Sequence, residues 1–116
     1  MIVDIHTHVF RPNLDFGPAL QADMKRCGID SSLWGNVEER HLTSTQAADV
    51  SIVFGLQAAK TDWNIPNDFV AAHVSRAPDR LLFFASIDPA KAEFMEELEK
   101  CHQEYGAVGI KMAPLY

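Results

Sequence analysis

Four short apolar runs constrain the fold of this chain more than any other feature. They occupy residues 2–6, 50–54, 81–87 and 107–112. Each is close to continuously apolar rather than alternating, the pattern of strands covered on both faces. Gly55 closes the second run, Asp88 and Pro89 the third, and Ala113 and Pro114 the fourth. Helical patterns lie between the later runs. Ile65, Pro66, Asn67 and Asp68 open one helix, with Phe69, Val70, His73 and Val74 at helical spacing and Pro78 as its stop. Asp88 and Pro89 are expected to open another, with aspartate as N-cap and proline at the first helical position. Its apolar stripe is Phe94, Met95, Leu98, Cys101 and Tyr105, and Gly106 suits the left-handed residue that ends a helix. A third helix is expected over 38–48, leading into the second strand. Strands that alternate with helices form parallel βα units.

The stretch 10–36 is different. It holds Pro12, Gly17, Pro18, Gly28 and Gly35, and reads as loops with one short helix near 19–26. At 116 residues the chain is at most one domain. A closed (β/α)₈ barrel has eight strands and about 250 residues. The expected fold is therefore α/β, a partial (β/α)₈ TIM barrel of about the first four βα units, with residues 1–116 as one N-terminal part of a domain.

Hydrophobic residues make up 47% and charged residues 22%, an ordinary globular balance. The net charge of -6 argues against a nucleic-acid partner. No apolar run is long enough to span a membrane, so no membrane partner is expected. The first residues lack the basic and apolar regions of a signal peptide, which makes the cytoplasm the expected location. Cys27 and Cys101 are isolated and form no zinc or disulfide framework; both are expected to be free thiols, buried or half-buried.

The chemistry concentrates in Asp4-Ile5-His6-Thr7-His8, at the end of the first strand. Residues i and i+2 of a strand share a face. His6 and His8 therefore aim into one space, with Asp4 expected one step deeper on the same face. Two convergent neutral imidazoles form half of a site for Zn²⁺ or a similar divalent ion. The competing reading is a pair of strand histidines satisfied by hydrogen bonds; the strand-end position before a Pro/Gly-rich loop favours ligation. Asp4 is either a support for a ligand ring N–H or a structural carboxylate. Lys111, near the end of the fourth strand, reaches either a substrate carboxylate or the solvent at the barrel mouth. Arg11 is a candidate for a substrate carboxylate, against a solvated loop arginine. Asp88 is explained as a helix N-cap. His41, His73 and His102 fall on helical segments and read as surface or packing residues. Trp34 and Trp63 lie in loops, where they line a pocket or pack helix on barrel.

Four segments together resemble a known family. They are Val3-Asp4-Ile5-His6-Thr7-His8, Ala48-Asp49-Val50-Ser51-Ile52-Val53-Phe54-Gly55, Asp79-Arg80-Leu81-Leu82-Phe83-Phe84-Ala85-Ser86-Ile87-Asp88-Pro89, and Gly109-Ile110-Lys111-Met112-Ala113-Pro114. The segment Ile65-Pro66-Asn67-Asp68-Phe69-Val70 adds to them. In this order they resemble the amidohydrolase superfamily, in the amidohydrolase-related branch that includes aminocarboxymuconate-semialdehyde decarboxylase and resorcylate-type decarboxylases. The resemblance implies a distorted (β/α)₈ barrel with a divalent metal, zinc being the expected ion, at the C-terminal ends of the strands. It makes His6 and His8 the first two metal ligands. The remaining ligands, a histidine after strand five and an aspartate after strand eight that also serves as acid/base, would lie beyond Tyr116; in many members another histidine follows strand six. In binuclear members a lysine at the Lys111 position is carboxylated and bridges two metals.

The implied function is a metal-dependent hydrolase, with metal-activated water attacking a carboxylic ester, amide or lactone. The alternatives are a metal-dependent carboxy-lyase acting on an aromatic or unsaturated carboxylate, and a non-catalytic truncated half-barrel, either a simple truncation or one that survives as a homodimer. The PHP-type phosphoesterases also open with His-x-His, but Val9-Phe10-Arg11-Pro12 is unlike their continuation.

Overall fold

A computed structural model of the chain describes residues 1–113. In chain order the elements are β1 (Val3–His8), α1 (Pro12–Asp15), α2 (Pro18–Arg26), α3 (Val37–Ser44) and β2 (Val50–Phe54). There follow β3 (Gln57–Ala58), β4 (Trp63–Asn64), α4 (Asn67–Val74), β5 (Leu81–Ser86), α5 (Phe94–Gln103) and β6 (Gly109–Lys111). Strands β1, β2, β5 and β6 form one parallel sheet in that order. The four expected strands are therefore present, each following the last in space as successive barrel strands do. The short β3 and β4 form a separate antiparallel pair that the sequence did not reveal.

One face of the sheet is sealed. Val53, Leu81, Phe83 and Ala85 are 0–2% exposed. They pack with Val70, Ile65, Ile87 and Cys101 into the hydrophobic core. Burial of each large side chain there contributes about 1.5–3 kcal/mol. The other face is open among the described residues. On it Leu82 is 39% exposed, and Ile52 and Phe84 are only half-buried. Residues paired in register share a face, which places Ile52 with Leu82, and His8 with Phe54, Phe84 and Gly109. A side chain at Gly109 would run into the Phe84 ring, so glycine keeps that open face close-packed at its edge.

Several boundaries differ from the sequence reading. β1 runs on to His8 and carries both histidines within the strand. The helix expected at 38–48 ends at Ser44 and tightens into a 3₁₀ turn over Thr45–Ala47. α4 ends at Val74, before Pro78. α5 begins at Phe94 rather than at Pro89. The reason is Asp88, whose carboxylate accepts from the backbone of both Ala90 (2.9 Å) and Ala59 (3.1 Å). It caps a turn and ties that turn to the segment after β3 instead of starting a helix. These two backbone bonds hold the Asp88 carboxyl below its ordinary pKa. Of the expected α5 stripe, Cys101 is buried and Leu98 and Tyr105 reach the core, while Phe94 and Met95 are exposed. Gly106 has the left-handed backbone expected of it (φ 70°). Pro114, expected to close the last strand, lies outside the described residues.

Buried polar groups tie the layers together. Asn67 is 1% exposed. Its amide exchanges two hydrogen bonds with the Ser86 backbone and donates a third to Glu97 on α5 (2.7 Å). It thus links α4, β5 and α5 at the end of the sheet that carries the histidines.

Candidate metal centre

His6 and His8 do converge. Their Nε2 atoms are 3.1 Å apart. His8 Nδ1 lies 3.1 Å from the Phe54 carbonyl, the last residue of β2. A carbonyl only accepts, so the His8 proton sits on Nδ1 and the Nε2 lone pair is free. His6 then donates its own Nε2–H to that lone pair. Burial pushes the His8 pKa below the ordinary histidine value, and the nearby His6 and Lys111 act in the same direction. The neutral ring is the form that binds a metal.

The pair fits a divalent ion. With both nitrogens at about 2.0–2.1 Å from one ion, a 3.1 Å separation subtends about 95–100°, between octahedral and tetrahedral angles. The Phe54 carbonyl supplies the outer contact that orients a ligand histidine. Among the described residues no group of three or more His, Cys, Asp or Glu side chains surrounds a possible metal position. The described donor set is thus two imidazoles.

Asp4 does not join them. The register of β1 on β2 shifts between Asp4 and Thr7, so two residues of β1 stand against Ile52 alone. This bulge reverses the alternation. It aligns Asp4 with Ser51, on the helix-covered side, and leaves His6 and His8 together on the open one. The Asp4 carboxylate accepts from the His6 backbone N–H (3.1 Å) and not from a ring.

Lys111 does approach. Its ammonium lies 5.0 Å from the centre of the Phe54 ring. The His6 and His8 rings pack edge-on against the same ring at 5.0 and 4.7 Å. Phe54 is the hub of the site, and sequence reasoning missed it. The available signal was its place as the last strand residue before Gly55, level with the end of β1.

Arg11 is committed elsewhere. Its guanidinium forms an ion pair with the buried Asp15 (2.7 Å) and lies over the Phe69 ring at 4.2 Å. The hydrogen bonds to Asp15 hold the Arg11 pKa above its ordinary value. His41 and His73 are buried, which makes them packing residues rather than surface ones. Trp34 and Trp63 join Phe10 and Phe16 in an aromatic cluster. Cys101 is buried, and burial pushes its thiol up to about 12, while Cys27 is exposed, contrary to expectation. A cleft of about 300 Å³ beside His8 is walled by Phe10, Trp34, Val37 and His41. A larger one of about 580 Å³ lies between α4 and α5 and touches neither histidine of the pair.

Comparison with known proteins agrees with this fold. The model of the amidohydrolase family, Amidohydro_2, matches residues 3–116. The crystal structure of 4-oxalomesaconate hydratase, LigJ, from Rhodopseudomonas palustris is similar in fold, with a TM-score of 0.53 and 22% sequence identity. That match covers 95% of this chain and 40% of the hydratase chain, so the present chain spans less than half of that protein. No curated protein sequence matches. The chain belongs to the amidohydrolase family, and its sheet is part of that family's (β/α)₈ barrel. No helix among the described residues is long and apolar enough to cross a membrane.

Proposed function

We propose that this member of the amidohydrolase family contributes the first two metal ligands, His6 and His8, to a divalent-metal site that acts on a small-molecule substrate. The observation that carries the reading is the pair of Nε2 atoms 3.1 Å apart, with the His8 tautomer set by the Phe54 carbonyl. Zinc suits two imidazole donors. When bound, such an ion polarises a substrate oxygen and makes a water more acidic. His6 has the one proton to move: its Nε2–H shifts to Nδ1 so that both Nε2 lone pairs face the ion. Lys111 pairs with no carboxylate among the described residues and stands ready for an anionic substrate group. Phe54 and Phe84 form an apolar floor that excludes water beneath the substrate.

Catalytic zinc sites usually have three protein ligands. In this reading the others, and the acid/base, come from outside the described residues. The reaction in this reading is attack on an ester, amide or lactone carbonyl, with decarboxylation of an aromatic or unsaturated carboxylate as the alternative; both use the His6–His8 pair, and Lys111 as an anion site.

Zinc titration by calorimetry tests the reading. His6→Ala and His8→Ala are each expected to weaken binding by about a hundredfold or more, beyond the cost of losing an outer contact. Unchanged affinity in both variants would overturn it. A panel of esters, amides, lactones and unsaturated carboxylates, read for carboxylate product against released CO₂, separates hydrolysis from decarboxylation.

A further inference from the structure

Thr7 stands between the two ligands and turns to the helix-covered side of β1. Its hydroxyl donates to the Ile52 carbonyl at 2.8 Å and lies 3.0 Å from His41 Nε2 on α3. His41 Nδ1 in turn lies 3.0 Å from His73 Nε2 on α4. The two rings meet edge-on, 4.9 Å between centres, and both residues are buried. One line of polar groups thus joins β2, β1, α3 and α4.

The line has one favoured direction. A hydroxyl carries a single proton. Given to the Ile52 carbonyl, it leaves a lone pair for a His41 Nε2–H. His41 must then accept at Nδ1, from a His73 Nε2–H. This makes three hydrogen bonds and leaves one unpaired acceptor, His73 Nδ1, which has no partner among the described residues. The reverse direction makes two bonds and strands a buried N–H, the rarer and costlier defect.

We propose that His41 and His73 are positioning residues for the metal pair, clamping Thr7, and with it the bulged segment of β1, onto α3 and α4. The inference rests on the metal reading above. β1 needs such a clamp. Its register on β2 shifts between Asp4 and Thr7, just before the residue that is clamped. A slip of one residue would turn His6 and His8 to the wrong face. The Thr7 hydroxyl, held from both sides, opposes that slip at the residue between the two ligands.

Two measurements on the whole chain test it. Nitrogen-15 NMR of the metal-free protein should find both His41 and His73 as Nε2–H tautomers, with His73 Nδ1 unprotonated. An Nδ1–H tautomer on either ring overturns the chain of bonds. Cobalt(II) titration then compares wild type with His6→Ala, His41→Leu, His41→Gln and Thr7→Val. His41→Leu and Thr7→Val should each weaken binding about tenfold, the low end for an outer contact, and shift the cobalt absorption bands. Their double variant should be no weaker than either alone. His41→Gln should restore most of the loss, because its amide donates to Thr7 and accepts from His73. Loss of binding in His6→Ala with wild-type affinity in His41→Leu and Thr7→Val overturns the positioning role. Wild-type affinity in His6→Ala overturns the metal reading, and the inference with it. If His41→Leu does not fold, Thr7→Val and the tautomers decide.

Discussion

The two faces of the parallel sheet are built from similar residues and do different work. Leu81 and Phe83 on one face are 1% and 2% exposed; Leu82, between them, is 39% exposed on the other. Apolar character alone does not say which face a helix covers. The covered face holds the chain together through a close-packed core. The open face carries His6, His8, Phe54 and Lys111 at its C-terminal end. That is where (β/α)₈ barrels place their active sites. Stability and chemistry are thus divided across one layer of backbone.

Substitutions should expose the division. Phe83→Ala, on the covered face, is expected to cost about 3–5 kcal/mol in denaturant unfolding, because it leaves a cavity in a packed core. A cost under about 1 kcal/mol there would break the comparison.

Acid should act on the covered side next. Burial lowers the His73 pKa from 6.5 to about 4, and burial lowers that of His41 too. The unfolded chain therefore binds protons between these values while the folded one does not. The stabilisation is complete above pH 6.5 and is lost as the pH falls towards 4, on the order of 3 kcal/mol for His73. Unfolding measured across this range should steepen in His73 wild type and flatten in His73→Phe.

Asn67→Ala removes three hydrogen bonds at a buried junction and should cost about 2–3 kcal/mol in the same assay. The smallest effect belongs to the open face. Leu82→Ser should change stability by less than about 1 kcal/mol, since much of the side chain already meets solvent. A loss as large as that of Phe83→Ala would mean that the open face is covered.

What could be read from the sequence followed the range of each interaction. The strands and the convergence of His6 with His8 depend on local periodicity, and both are present. The face that alternation predicts Asp4 to share with the histidines is lost because a bulge adds one residue to the pairing without marking it in composition. α5 starts later than Asp88-Pro89 suggests because Asp-Pro signals a turn as well as a helix, and the contact with Ala59, 29 residues away, selects the turn. Arg11 reads as a substrate-binding or solvated loop arginine, yet its partner Asp15 lies four residues on; that spacing is an ion pair across a short helical turn, hidden by reading 10–36 as loop. Phe54 and the His41–His73 contact depend on register and helix packing across 46 and 32 residues, beyond any local pattern.

The central claim is that His6 and His8 together bind one metal ion. X-ray absorption on the chain with one equivalent of Zn²⁺ tests it most directly. The expected first shell contains two imidazole nitrogens at about 2.0–2.1 Å, reduced to one in His6→Ala. A shell of oxygen alone, or a sulfur at about 2.3 Å from the exposed Cys27, would contradict it.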